Sequence, residues 1–317
     1  MRGREGGNMT KDLLGLEETS EKEIRFFLDS TETFKEVLSR PIKKVPTLRG
    51  KTIVTLFYEP STRTRMSFEL AGKRMGADVS NIAVSGSSIE KGESLKDTIR
   101  TIEAMGTDLI IIRHGKAGAP HLAAKTTNAC VINAGDGAHE HPTQGLLDLF
   151  TIQEKKGKIA GLHVLIVGDI AHSRVARSDI WGLTKMGAKV TVCGPPTLIP
   201  VEIAKMGVSV SYDLNSVLSS ADVIYVLRLQ LERQKKGLFP SIQEYIQYYA
   251  ITKERLAQAK TDALIMHPGP MNIGLEITEE VAASIHSAIQ EQVFNGVAIR
   301  MAVLNYLLGG KEHEVDS

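Results

Sequence analysis

The sequence predicts an α/β protein of two domains, each a parallel sheet flanked by helices, with a ligand site in the cleft between them. Three observations predict it. Short β-branched runs alternate with helix-periodic segments along nearly the whole chain, the pattern of repeated strand–helix units. A length of 317 residues suits about two domains. Polar clusters follow the carboxyl ends of the strands, where open α/β sheets bind ligands.

Taken in order, MRGREGGNMTKD is expected to be a disordered tail. Thr52-Ile53-Val54-Thr55-Leu56-Phe57 suits a buried strand, Pro60 ends it, and Ser61 can cap a helix over 61–76. Strands are predicted at 79–84, 108–112 and 130–133, with helices near 94–105, 119–127 and 142–155. The last of these connects the halves, because a lysine–glycine stretch follows it. Gly161–Asp169 reads as a strand ending in a glycine turn, then a helix near 173–186 and a strand at 189–193 closed by Gly194-Pro195-Pro196. Further strands fall at 222–227 and 263–266, the second just before a Pro-Gly-Pro turn. A long helix, about Ile289–Leu308, is apolar on one face and must dock somewhere.

Composition narrows the function class. A hydrophobic share of 42% and a charged share of 24% describe a soluble globular chain. Cys130 and Cys193 form neither a disulfide framework nor a zinc spacing, so a reducing cytoplasm is expected. No apolar run reaches the ~20 residues that span a bilayer, so no membrane partner is expected. A net charge of +1 argues against nucleic acid.

The most informative cluster is Ser61-Thr62-Arg63-Thr64-Arg65. The first turn of a helix leaves backbone N–H groups unpaired and carries partial positive charge. Three hydroxyls and two guanidiniums there make a receptor for phosphate. Further clusters follow the other strands: Arg113-His114, Gly135–Gln144, Gly168–Arg174, Arg228–Arg233 and His267–Pro270. Together Arg63, Arg65, Arg113, Arg174, Arg228 and Arg233 outnumber nearby acids, which fits a strongly anionic substrate set. His141 and Gln144 flank a helix start set by Pro142, where a neutral imidazole could donate to a carbonyl becoming an oxyanion. The loop Gly86–Gly92 holds Lys91 near its tip and reads either as an exposed turn or as a lid carrying a cation. Gly168–Arg174 lacks GxGxxG, which disfavours a nicotinamide cofactor; no GxSxG or metal-ligand spacing is present, and neither cofactor nor metal is expected. Chemistry would then rest on positioning and electrostatics.

Taken together, these segments resemble the aspartate/ornithine carbamoyltransferase family. Ser61–Arg65 is similar to its carbamoyl-phosphate signature, and His141-Pro142-Thr143-Gln144 with Gly-Leu-Leu-Asp-Leu-Phe to its second. Arg228-Leu-Gln-Leu-Glu-Arg and His267-Pro268-Gly269-Pro270 resemble the aspartate branch; the His-Cys-Leu-Pro and Ser-Met-Gly of ornithine enzymes are missing. The resemblance runs in order from about Leu13 to Leu308.

The resemblance implies a carbamoyl-phosphate domain over 1–150, completed by the C-terminal helix within 289–317, and an aspartate domain over 151–288. It implies that Ser61, Thr62, Arg63 and Thr64 hold phosphate and that Arg113 bridges phosphate and carbonyl. His141, Gln144 and Thr64 would hold the carbamoyl group, which the main chain of Gly269 and Pro270 also faces. Arg174, Arg228 and Gln230 would grip aspartate. Ser87 and Lys91 would reach a neighbouring subunit's site, making a homotrimer, alone or in a larger assembly with regulatory chains or a dihydroorotase. The implied reaction gives N-carbamoyl-L-aspartate and phosphate in pyrimidine biosynthesis. One departure is Met271-Asn272-Ile273-Gly274, where many bacterial relatives carry Asn-Arg-Gly; Ile273 cannot supply that charge. Two other readings are a transcarbamylase for a basic amine and a catalytically weak subunit of a larger assembly. Arg228 and Gln230 oppose the first; the intact phosphate turn and Lys91 oppose the second.

Overall fold

The computed structural model describes residues 10–83, 92–230 and 241–309. The expected tail up to residue 9, the predicted loop with Ser87 and Lys91, and Arg233 lie outside the described residues.

Two parallel sheets form the frame. The first has order β2-β1-β3-β4, with β1 Thr52–Phe57, β2 Asp78–Ala83, β3 Leu109–His114 and β4 Cys130–Asp136. The second has order β7-β6-β5-β8-β9, with β5 His163–Val167, β6 Lys189–Cys193, β7 Ser209–Ser211, β8 Val223–Val226 and β9 Leu264–Met266. The helices are α1 Glu21–Ser39, α2 Thr62–Arg74, α3 Leu95–Ala104, α4 Ala119–Ala124, α5 Pro142–Lys156 and α6 Arg174–Lys185. They continue with α7 Asn215–Leu218, α8 Ile242–Tyr249, α9 Lys253–Leu256, α10 Glu279–Ala282 and α11 Ile289–Leu308.

Strand periodicity sorts the core. Ile53, Phe57, Leu109 and Ile111 belong to one apolar cluster, while Val54, Leu56, Ile110 and Ile112 belong to another on the opposite face. In the second sheet Val164 and Ile166 join the first cluster, whereas Leu165 and Val167 join a third. One continuous core therefore runs under both sheets, and α5, α6 and α11 lie in it. The long apolar helix α11 docks on α1, α5 and α2, which settles where its buried face goes.

The sequence reading passed over α1, β7 and the short helices α7, α8, α9 and α10. Helix α1 carries a capping box, Ser20 with Glu23, and an apolar stripe of Ile24, Phe27, Leu28, Phe34, Val37 and Leu38. Strand β7 is a three-residue polar edge strand with no hydrophobic alternation to read. Helix α8 is a short segment after Ser241, which caps it through Glu244.

Candidate active site

The carboxyl ends of β1, β3, β4, β5, β8 and β9 supply the site. The expected cap at Ser61 does not form: Ser61 occupies the N-cap position of α2, but its side chain accepts no backbone N–H. Its ψ is 89°, whereas Ser20 and Ser94, which do cap, sit at 155° and 151°. The hydroxyl of Ser61 is thus not committed to the helix, and no acidic residue lies in that first turn. Thr62, Arg63 and Arg65 are exposed and Thr64 is buried. Helix α5 repeats the arrangement, with His141 at its N-cap and no side-chain cap bond.

The arginines come together from both sheets. Phe57 pairs with Arg113 across β1 and β3, which places Arg113 beside the phosphate turn. Its Nη1 donates to Ala134 O at 3.1 Å. Arg174, at the start of α6, is buried, and its Nη2 donates to Glu59 Oε2 at 2.7 Å while Nη1 has no partner. Gly135, at φ +112°, passes between them: a Cβ there would come within 2.9 Å of Arg174 Nη1 and 3.3 Å of Arg113 Nη1. Gly269, at φ +62°, brings the second half of the chain against Arg63, since a Cβ would lie 3.3 Å from the guanidinium carbon. Both glycines are required by close approach as well as by backbone conformation.

His141 is buried, and its N–H donates to Ser178 Oγ at 2.8 Å. Ser178 in turn donates to Glu140 Oε2 at 2.7 Å, so α6 is pinned to the loop before α5. Burial, reinforced by the charges of Arg113, Arg300 and Arg174, holds the His141 imidazole well below its ordinary pKa. It is therefore neutral at pH 7 and can donate one N–H to a developing oxyanion without carrying net charge. Gln144 Nε2 donates to both carboxylate oxygens of Asp148 at 3.2 Å.

Arg228 and Gln230 follow β8 and are half-buried. Asn272 Nδ2 donates to Leu229 O at 3.3 Å, tying that segment to the turn after β9. His267 Nδ1 accepts from Gly269 N at 2.8 Å, which leaves Nε2–H facing Glu276 Oε1 at 3.2 Å. The Gly269–Pro270 bond is cis. Ile273 is 49% exposed and its backbone bridges to Ile277.

The structure thus brings Arg113 and Arg174 together at Gly135 near His141, and sets Gly269 against Arg63. Sequence reasoning missed Glu59 and Asp148. Glu59 stands two residues before the phosphate turn and is the acid that holds Arg174, a signal present in Tyr58-Glu59-Pro60. Asp148 lies one helical turn after Gln144, an i,i+4 relation legible in the second signature. Spacing also gave no hint that His121, Asp136 and His139, and likewise Glu17, His139 and Glu140, lie close enough to meet one ion. Asp136 and Glu140 already accept from backbone N–H groups, which gives them structural work apart from any ion.

Comparison with known proteins decides the family. Residues 11–154 match "Aspartate/ornithine carbamoyltransferase, carbamoyl-P binding domain", and residues 160–307 match "Aspartate/ornithine carbamoyltransferase, Asp/Orn binding domain". The chain belongs to the aspartate/ornithine carbamoyltransferase family. Within this family it is 61% identical over 300 residues to the aspartate carbamoyltransferase catalytic subunit of Heliobacterium modesticaldum, covering 95% of this chain and 96% of the relative. The corresponding subunit of Moorella thermoacetica is 62% identical over 300 residues, covering 95% and 98%. Among carbamoyltransferase structures, aspartate transcarbamoylase from Trypanosoma cruzi in complex with carbamoyl phosphate and aspartate aligns with a TM-score of 0.83 at 31% identity, covering 94% and 95%. Ornithine carbamoyltransferase from Pyrococcus furiosus aligns equally well, with a TM-score of 0.84 at 31% identity, covering 94% and 97%. Backbone likeness alone does not separate the two branches; sequence identity does.

Proposed function

We propose that the chain is an aspartate carbamoyltransferase catalytic subunit, transferring the carbamoyl group of carbamoyl phosphate to the amine of L-aspartate in pyrimidine biosynthesis. The observation that supports this reading is the approach of Arg113 and Arg174 at Gly135 beside a neutral His141, with Arg63 against Gly269 at the turn after β9. Two anionic substrates require such a cationic cleft, and the relatives at 61% and 62% identity carry the aspartate name.

In this reading Ser61, Thr62, Arg63 and Thr64 hold the phosphate at the uncapped start of α2. Arg113 spans phosphate and carbonyl. The aspartate amine attacks the carbamoyl carbon; Arg113, Thr64 and His141 stabilise the tetrahedral oxyanion, and phosphate leaves. Gln144 and the main chain at Gly269 and Pro270 face the carbamoyl amide. Arg174, through its unpartnered Nη1, joins Arg228 and Gln230 in gripping the aspartate carboxylates. Residues 1–150 with the C-terminal helix within 289–317 form the carbamoyl-phosphate domain, and 151–288 the aspartate domain.

By the family resemblance, Ser87 and Lys91 belong to a neighbouring subunit's site, and the working unit is a cytoplasmic homotrimer, alone or joined to regulatory chains or a dihydroorotase. No helix among the described residues is long and apolar enough to cross a membrane.

A ureido-product assay with carbamoyl phosphate and either L-aspartate or L-ornithine tests the reaction. Turnover with aspartate is expected; turnover with ornithine alone would overturn the reading. Arg63→Ala and Arg113→Ala are each expected to lose about 2.7–4 kcal/mol of transition-state stabilisation, as for a lost oxyanion donor, with the fold intact by circular dichroism.

A further inference from the structure

A buried acid behind the cleft connects the parts of the site that face the carbamoyl amide. Asp148 on α5 is buried and accepts hydrogen bonds from three directions. Gln144 Nε2 donates from its own helix at 3.2 Å to each oxygen. Tyr225 Oη donates from β8 at 2.8 Å, and Gln292 Nε2 donates from α11 at 2.6 Å. The oxygen of the Gln292 amide is also committed, since Gln292 Oε1 accepts from His267 N at 3.0 Å. His267 holds the Gly269 N–H in turn.

A carboxylate only accepts hydrogen bonds, so each amide must turn its NH2 group toward Asp148. Gln144 then has its amide oxygen turned away from Asp148, and the Gln292 orientation serves the His267–Pro270 turn. We propose that Asp148 is a positioning residue whose carboxylate fixes the Gln144 amide, so that the cleft offers an acceptor to the carbamoyl NH2 and selects carbamoyl over acyl donors lacking N–H. This inference rests on the carbamoyl-transfer reading above.

The neighbour that keeps Asp148 an acceptor is Asp179 on α6. Both Asp179 oxygens are buried without a donor, so its carboxyl is accommodated as the neutral acid, with its O–H donated to Asp148. Burial and the Asp148 charge both hold that proton on Asp179. The titratable or charged groups facing Asp148 are Asp179, Tyr225 and the buried Arg300.

The test compares carbamoyl phosphate with acetyl phosphate as donors at saturating L-aspartate, in wild type, Asp148→Asn and Asp179→Asn. In Asp148→Asn the fixed Gln292 NH2 keeps the amide oxygen on its side. The new NH2 then faces Tyr225 and Gln144, and Gln144 turns. The ratio of kcat/KM for the two donors is expected to fall about tenfold toward unity, the scale of one misplaced hydrogen bond. Asp179→Asn still donates to an ionised Asp148, so its ratio should stay within about twofold of wild type. A purely structural role for Asp148 would lower both donors alike and leave the ratio unchanged in folded Asp148→Asn, which overturns the proposal. Should that variant fail to fold, Asp148→Ser, which fits the same space and cannot hold both amides, carries the same expectation and the same refutation. Wild-type protein that carbamoylates no aspartate would instead sink the parent reading, before any variant is compared.

Discussion

Glu59 Oε2 and Arg174 Nη2 stand 2.7 Å apart, an ion pair between the end of β1 in one sheet and the start of α6 beside the other. The same oxygen lies 3.6 Å from Arg113 Nε, so one carboxylate orients two of the cleft's cations. Arg174 is 4% exposed, and without Glu59 it would be a buried charge with no acid beside it. Glu59→Gln is therefore expected to lower stability by about 2 kcal/mol, a value discounted because Glu59 is itself a quarter exposed. It should also raise the KM for aspartate more than that for carbamoyl phosphate. Steady-state kinetics with each substrate varied in turn would check this, and equal changes in both KM values would contradict it.

A side chain at Gly269 would crowd the Arg63 guanidinium. Alanine there meets both a φ of +62° and a contact of 3.3 Å with the guanidinium. A strained residue of this kind costs about 1–3 kcal/mol, and here the displaced partner is Arg63, proposed above to hold the phosphate. Gly269→Ala should weaken carbamoyl-phosphate binding at least tenfold while leaving the melting temperature within a few degrees. Titration calorimetry with carbamoyl phosphate decides it; unchanged affinity would mean that Arg63 moves freely.

The candidate site is legible where its chemistry is local and hidden where it depends on the fold. Ser61–Arg65 and His141–Gln144 could be read because helix starts concentrate donors within a few consecutive residues. Arg113 and Arg174 were readable as charges at strand ends, but not as neighbours, since their approach depends on Gly135 and on the packing of α6 against α5. Glu59, Asp148 and Asp179 were not singled out. An isolated acid among polar or helical residues looks like any solvated charge until burial shows that it is paired. The fold followed the same rule: repeated strand–helix units were evident, whereas the amphipathic α1 escaped because its polar face dominates its composition.

Arg228 lies beyond β8, in the segment that Asn272 ties to the turn after β9. Arg228→Ala is expected to abolish saturation by aspartate while leaving carbamoyl-phosphate binding within about threefold, because a lost carboxylate clamp removes one charge-assisted pair. Loss of carbamoyl-phosphate affinity alone would reassign the residue.

Ile273 is half exposed on the turn that Asn272 ties to the Arg228 segment. A guanidinium there adds positive charge near the anionic acceptor without displacing any packed side chain. Ile273→Arg should lower the aspartate concentration for half saturation about two- to fivefold, an effect that fades at high salt. Identical aspartate curves for the two proteins would show that the position is silent.

The acid pair behind Gln144 gives stability a direction in pH. Burial pushes Asp148 up to about 7 and drives Asp179 well above the usual carboxylate range. For a group whose folded pKa is raised, the stabilising contribution is complete below the unfolded value and lost as pH rises through the folded one. Wild-type stability should therefore decline through this pair from about pH 4, where the unfolded carboxyls ionise, to about pH 7, where folded Asp148 ionises, and above that through Asp179 alone. His141 works in the opposite sense: its folded pKa is depressed, so its contribution fades as pH falls below its unfolded value, and it offsets part of this slope equally in both proteins. In Asp179→Asn the second carboxyl is gone and Asp148 faces a neutral amide donor, so the decline should flatten. Melting temperatures of the two proteins across that range are the measurement. Parallel curves would show that the carboxyls do not share a proton, and that Asp148 keeps its charge by other means.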